Sequence, residues 1–467
     1  MKNLQKNIGQ IYWIFIISLM LVGIYLINIA VWQADTFIAS PFNARVNIYD
    51  SSVRRGSIYD ANGNIIAQSI LTNNGYERFY PLDNLFAHTA GFSGMSRAGL
   101  ELSRNFEMYR LNLNLWQRIS HIIFGEPLLA NSIVTTFDYE LQSLIYNALG
   151  NRKGAVVVMH PNTGAIMAMV STPSFNPNYV DTLWQQLSMD TENAPLVNRA
   201  TQGLYPPGST FKIVTALAAL RYDSELIDFM LYCTGTHTFG NYSINCAFGN
   251  THGNVDMRRA MAVSCNGYFA YLAYKIGAYS LINMVESLGF TNPQVFELPN
   301  NQSSFLLEPY SNTDELIQTS IGQGRTLTNT LDMAQLMSAI ANNGQKMQPF
   351  IVSHTLGRNN NILATYSPRN LGQIINADYA HIISNMLTEV VLSGTGQAAY
   401  TPGLSISGKT GTAQNATGID HSWFVGYAIS YEPIAAVAII IESTGGGPAA
   451  TQLAGDIFRF LRLTTYQ

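Results

Sequence analysis

Residues 11–32 contain no charged side chain. A bilayer's hydrocarbon core is crossed by about 20 apolar residues in a helix, so this 22-residue run is long enough to span one. It fixes the first element of the chain as a membrane helix and leaves the rest to fold on one side. Lys2 and Lys6 precede the run and Asp35 follows it. The positive-inside rule then puts the N-terminus in the cytoplasm and everything after Trp32 outside. A cleaved leader would have a shorter apolar core and an A-x-A-like site, which Trp32-Gln33-Ala34 lacks. The expectation is a retained signal-anchor, single-pass in the cell membrane, with its folded part extracytoplasmic.

The 467 residues suffice for two domains beyond this anchor. A net charge of -4, with 12% charged residues and no basic patch, excludes a nucleic-acid partner. We expect residues 1–35 to be cytoplasmic tip and anchor. Residues 36–150 mix strand-like runs with turn signals such as Asn62-Gly63 and Asn74-Gly75, and read as a β-rich non-catalytic pedestal. Residues 151–467 read as the catalytic domain. Strands are expected within 154–169 and 423–441, and helices over 333–341, 380–392 and 451–461. That order fits an α/β (α+β) fold with an antiparallel sheet flanked by helices on both faces.

Three short motifs lie along this second part: Ser209-Thr210-Phe211-Lys212, Ser264-Cys265-Asn266 and Lys409-Thr410-Gly411. Alone, each is weak; S-x-x-K should occur about twice by chance in a chain this long. Context strengthens them. Pro206-Pro207-Gly208 is a breaker cluster, and the residues from Phe211 to Leu220 are almost all apolar. A buried helix beginning at Ser209 is expected, with Ser209 and Lys212 at i and i+3 on one face. A lysine in the first turn of an apolar helix is desolvated and sits at the positive end of the dipole. Both effects lower its pKa, which suits a general base. Lys409 lies among the small residues Ser407, Gly408, Gly411 and Ala413, where a substrate backbone can lie close to a strand. Lys409, Trp423 and Val437 should fall on successive antiparallel strands.

Together the motifs supply a nucleophile with its own base, a hydroxyl and amide that can relay a proton, and a cation beside a hydroxyl for a carboxylate. That is the equipment of acyl transfer from a peptide ending in a free carboxylate. At this point the chain resembles the class B, monofunctional penicillin-binding proteins. The resemblance runs through Gly203-Leu204-Tyr205-Pro206-Pro207-Gly208-Ser209-Thr210-Phe211-Lys212, the hairpin segments Gly154-Ala155-Val156-Val157-Val158-Met159 and Pro161-Asn162-Thr163-Gly164-Ala165-Ile166, and Ile321-Gly322-Gln323-Gly324. Upstream, Arg55-Gly56-Ser57-Ile58-Tyr59-Asp60-Ala61-Asn62-Gly63 is similar to the R-G-x-I-x-D-R-x-G box of their pedestals, with Ala61 in place of the usual arginine.

The resemblance implies a peptidoglycan D,D-transpeptidase acting on stem peptides that end in D-Ala-D-Ala and inhibited by β-lactams. It implies Ser209 as nucleophile, Lys212 as base, Ser264 as proton relay, Asn266 as donor-peptide ligand, and Lys409 with Thr410 as carboxylate site. Gly411 and Thr412 continue the substrate-binding strand, and the backbone N–H groups of Ser209 and Thr412 form the oxyanion hole. It further implies a polytopic glycan polymerase as partner, through the span and pedestal. Rival readings are a D,D-carboxypeptidase or β-lactamase on the same fold, a β-lactam sensor, and a non-catalytic wall scaffold.

No metal or organic cofactor is expected. Cys233 and Cys246 flank a hairpin-like segment and could form a disulfide or remain two thiols. His237 and His252 fall in no ligand spacing typical of zinc sites. Cys265 reads as a small packed residue beside the site.

Overall fold

The structure is a computed structural model and describes residues 2–28, 53–73, 75–109, 128–415 and 418–465. Helix α1 (Lys2–Asn28) contains the apolar stretch, whose window Asn7–Leu26 has a mean hydropathy of 1.9 and no buried share. The end of the expected anchor at Trp32 and its flank at Asp35 lie outside the described residues.

Strands β1 (Ile58–Tyr59), β2 (Ile65–Thr72) and β3 (Gly75–Phe79) follow, then β4 (Ser132–Thr135). The Asn62-Gly63 turn joins β1 to β2, Gly63 taking the positive φ of 88° that glycine tolerates. Asn74 is outside the described residues, but β2 and β3 pair as a hairpin closing at Thr72 and Gly75. The aspartate of the R-G-x-I-x-D box fixes this corner. Asp60 Oδ1 accepts from the N–H groups of Asn62 and Asn64, and Oδ2 accepts from Tyr139 N–H. Ala61, the departure from the box, points its side chain into solvent. Arg55 is buried and pairs with the fully buried Glu101, which also receives Arg78.

Helix α2 (Tyr139–Leu149), capped by Asp138, leads into β5 (Gly154–Met159) and β6 (Ile166–Thr172). Next come α3 (Lys212–Tyr222), the short strands β7 (Leu231–Cys233), β8 (Thr236–Phe239), β9 (Tyr242–Asn245) and β10 (Gly253–Val255), and helices α4 (Met257–Ala262) and α5 (Asn266–Leu288). Helix α6 (Thr330–Ala341), β11 (Val352–Leu356), β12 (Ile362–Thr365) and α7 (Ala377–Leu392) precede β13 (Ser405–Ala413), β14 (His421–Ile429), β15 (Pro433–Ile441) and α8 (Ala449–Thr465). The three expected helices are present as α6, α7 and α8, each starting two or three residues earlier than expected.

Five strands form an antiparallel sheet in the order β13-β14-β15-β5-β6. Lys409, Trp423 and Val437 sit on the successive strands β13, β14 and β15. Side chains alternate across a strand, so each strand serves two cores. Ala155, Val157 and Met159 belong to the core that includes α6, while Val156 and Val158 belong to the one shared with α2 and α8. The inner strands are consequently apolar without interruption, as sheets covered on both faces require. β13 is the edge strand, and its free edge is what the site uses.

A second sheet has the order β12-β11-β4-β1-β2-β3. Its strands β11 and β12 come from residues 352–365, far along the chain. β11 pairs with β4 through Val134 and His354, so the N-terminal sheet is completed by a hairpin returning from the C-terminal part.

Candidate active site

Gly208–Phe211 forms a 3-10 turn, and the α-helix starts at Lys212, three residues later than the sequence pattern suggests. The cause is local. Gly208 has a φ of 54° and Pro207 cannot donate, so the chain enters through a tight turn in which Thr210 Oγ1 donates to the Pro207 carbonyl. The Lys212 N–H then bonds the Ser209 carbonyl, which stacks the two side chains at i and i+3.

Lys212 is fully buried. Its Nζ donates to Ser264 O at 2.7 Å and Asn266 Oδ1 at 2.7 Å and lies 3.1 Å from Ser264 Oγ. Among the described residues no hydrogen bond joins the Ser209 hydroxyl to the Lys212 amine. The serine that was expected to lean on Lys212 is instead a half-buried hydroxyl beside an amine held by the S-x-N turn. Burial lowers the Lys212 pKa from 10.5 to about 8.

Ser264 sits between α4 and α5 with a φ of 58°, a left-handed conformation rare for a residue with a Cβ. That conformation aims both its carbonyl and its hydroxyl at Lys212. Asn266 opens α5 and donates through Nδ2 to the Asn245 carbonyl at 2.8 Å, which leaves Oδ1 for the lysine.

Lys409 arrives from the edge strand β13, also fully buried. Its Nζ donates to Ser264 Oγ at 3.0 Å and to its neighbour's carbonyl, Thr410 O, at 3.1 Å. Burial first, and then the nearby Lys212, hold its pKa well below the usual lysine range. The Ser264 hydroxyl thus joins two amines from different elements. Thr410 Oγ1 lies 2.7 Å from Thr395 Oγ1. The latter falls in Gly394-Thr395-Gly396, a small-residue loop before β13 that escapes a motif search.

Gly411 lets β13 touch the nucleophile turn. A Cβ there would come within 2.9 Å of Trp423 Cβ and 3.0 Å of both Pro207 O and Thr210 Cγ2. Gly208 faces the same seam, where a Cβ would lie 2.4 Å from Thr412 O. Gly322 closes the seam from the other side, its carbonyl accepting from Gly208 N–H at 2.8 Å. Thr412 is exposed at the mouth. Ser209, Lys212, Ser264, Asn266, Lys409, Thr410, Gly411 and Thr412 therefore meet along one cleft between β13, the 208–211 turn and the 264–266 turn.

Of the two states that the spacing leaves open for Cys233 and Cys246, the structure has the thiols, and Cys265 is packed as expected. Cys233, Cys246 and Cys265 are free and buried, and His252 joins them. The pairs Cys233–Cys246 and Cys246–Cys265 are each 3.7 Å apart between sulfurs, and Cys233 Sγ lies 3.4 Å from His252 Nδ1. This four-residue cluster, directly behind the S-x-N turn, was missed because its members come from four separate segments.

Known proteins similar to this chain share its fold. Residues 154–459 match the penicillin binding protein transpeptidase domain, and residues 55–133 match the penicillin binding protein A dimerisation domain. The chain is 30% identical over 450 residues to the peptidoglycan D,D-transpeptidase PbpA of Mycolicibacterium smegmatis, which covers 90% of each chain. Penicillin-binding protein A of M. tuberculosis, solved as a ceftriaxone acyl-enzyme complex, superposes with a TM-score of 0.81 at 28% identity, covering 90% of this chain and all of that one. The D,D-transpeptidase domain of a peptidoglycan glycosyltransferase from Eggerthella lenta superposes with a TM-score of 0.79 at 31% identity, covering 89% of this chain and 99% of that one.

Proposed function

Since this chain belongs to the penicillin-binding protein transpeptidase family, we propose that its cleft cross-links peptidoglycan by the following division of labour. The chain is a serine acyl-transferase, a peptidoglycan D,D-transpeptidase, and β-lactams acylate it. Ser209 Oγ attacks the carbonyl of the D-Ala-D-Ala bond and gives its proton to neutral Lys212. The acyl–nitrogen bond breaks, and Ser264 passes a proton to the departing D-alanine amine. An amine of a second stem peptide then attacks the acyl-serine, releases Ser209 and completes the cross-link. Asn266 binds the donor peptide and steadies Lys212. Lys409 and Thr410 bind the terminal carboxylate. The backbone N–H groups of Ser209 and Thr412 take the oxyanion, each such donor contributing about 3 kcal/mol to the transition state.

The observation that carries this reading is the Lys212–Ser264–Lys409 chain, two buried amines joined by one hydroxyl. A wall scaffold would have no use for it. Burying two cations side by side costs several kcal/mol and persists where chemistry needs a neutral amine at neutral pH.

The single span and the N-terminal domain together face a polytopic glycan polymerase in the membrane, with the catalytic domain on the outer side. Supporting this are the fully unburied apolar face of α1 and the absence of any charge in residues 11–32.

The test of the nucleophile is Ser209→Ala. It should abolish labelling by a fluorescent penicillin and leave the melting temperature unchanged, since only a half-buried hydroxyl is lost. Labelling at the normal rate would refute the assignment.

A further inference from the structure

We propose that Cys233, Cys246, His252 and Cys265 form a tetrahedral zinc site that fixes the turn carrying Ser264 and Asn266. The four ligand atoms lie behind the catalytic cleft and adjoin it through Cys265, and only their effect on acylation rests on the function proposed above.

The geometry fits the ion. A zinc–thiolate bond is about 2.3 Å, so the edge between two sulfurs of a regular tetrahedron is about 3.8 Å. The two sulfur pairs stand at 3.7 Å. An edge to a nitrogen is shorter, because zinc–nitrogen bonds are about 2.0–2.1 Å; the Cys233–His252 edge is 3.4 Å. All four ligand atoms lie within 4.8 Å of one another. Cys3His is a closed donor set, the kind that structural zinc sites use, with no position left for water or substrate.

The surrounding strands bury few apolar side chains of their own, chiefly Phe239 and Ile244 against Ala270 and Ile317. Strands β7 to β10 are three or four residues long and form two separate two-stranded sheets. Such ribbons are marginal alone in water. The four ligands stand at their ends. Cys233 closes β7, Cys246 follows β9, His252 precedes β10, and Cys265 caps α5. One ion would tie all four segments together. Outside the membrane, three adjoining thiols would otherwise be open to oxidation.

The consequence for catalysis follows from chain adjacency. Cys265 lies between Ser264 and Asn266, and Cys246 follows Asn245, whose carbonyl holds the Asn266 amide. An ion on both cysteines therefore holds Ser264 in its left-handed conformation and Asn266 Oδ1 on Lys212.

The full chain in detergent should retain one zinc per chain, by elemental analysis, through dialysis against EDTA at neutral pH. Cobalt(II) put in its place should show the ligand-field and thiolate charge-transfer bands of a tetrahedral site. Cys233→Ser and His252→Gln should each weaken metal binding by about 100-fold or more, given that even supporting partners of metal ligands are worth 10–100-fold. Stripping the wild-type metal with a stronger chelator should slow penicillin labelling, and zinc should restore it. A zinc-free native chain with three titratable thiols, or a mass two hydrogens lighter that reports a disulfide, overturns the site. So does zinc that both variants hold as tightly as wild type. Unchanged labelling after stripping overturns the positioning role, while Ser209 labelling in the wild type reports independently on the nucleophile.

Discussion

A lysine ammonium held off water carries a free-energy penalty at neutral pH. For Lys212 the folded pKa is about 8 against 10.5 unfolded. Between these values the unfolded chain binds more protons, so stability rises with pH through that window, and the penalty is complete below about pH 8. A lowering of that size corresponds to about 3 kcal/mol. Lys212→Met removes the penalty but leaves Ser264 O and Asn266 Oδ1 without a donor, at about 1–3 kcal/mol each. We expect the variant at pH 7 to lie between about 1 kcal/mol more stable and about 3 kcal/mol less stable than wild type, and to fall further behind by pH 10, where wild type has shed most of the penalty. Its acylation should fall by about 10²–10⁴-fold. Denaturant melts at both pH values, set beside labelling rates, check this. A variant less stable by more than about 3 kcal/mol at pH 7 would mean the lysine holds the fold together. Wild-type acylation should itself climb with pH through about 8. Lys409→Ala separates the second amine from the first. It should slow acylation by β-lactams and peptides bearing a carboxylate far more than by esters lacking one. Equal losses would assign Lys409 to tuning Lys212 through Ser264 instead.

Secondary elements set the distances that these residues need. The edge strand β13 must press on the 208–211 turn, and glycine at 411 permits it. Gly411→Ala inserts a Cβ within 3.0 Å of two backbone or side-chain atoms of that turn. Overpacking of this kind costs about 1–3 kcal/mol. A shift of about 1 Å between Ser209 and Lys409 would cost about 100-fold in acylation. The expected pattern is a modest fall in melting temperature with a large fall in labelling, and the reverse pattern would place the glycine's role in the sheet. Much at this scale was legible beforehand. Runs of apolar residues between breakers marked β14, β15 and α3, and the three motifs marked the cleft. Other features were not legible, for physical reasons. The tight turn at Ser209 depends on Gly208 taking a positive φ against Thr412, a contact made across 200 residues of chain. The Cys233–Cys246–His252–Cys265 cluster has no short-range spacing, because two hairpins and a helix cap bring its members together. Thr395 and Asn245 act through one hydroxyl and one carbonyl, and neither leaves a pattern.

Across the whole molecule, the chain is interlaced more than its linear order suggests. The sheet begun by residues 58–79 is completed by β11 and β12 from residues 352–365, and alternating patterns along the chain give no sign of which distant strand will pair. The N-terminal sheet and the catalytic part are therefore joined through main-chain hydrogen bonds, and displacement of one strains the other. That makes α1 interesting as more than a tether. None of its apolar window is buried against the rest of the chain, so its faces are free to meet lipid or another helix. Ser18 and Gly23 are small positions where a second helix can approach closely. If a polytopic polymerase reads this surface, exchanging residues 11–32 for an unrelated apolar span of equal length should leave penicillin labelling intact, because the cleft does not touch α1. Wall synthesis in cells should nevertheless fail. Full complementation by the exchanged protein would reduce α1 to an anchor and move the partner contact to the N-terminal sheet. Labelling lost along with growth would instead mean that the span supports the folded part directly.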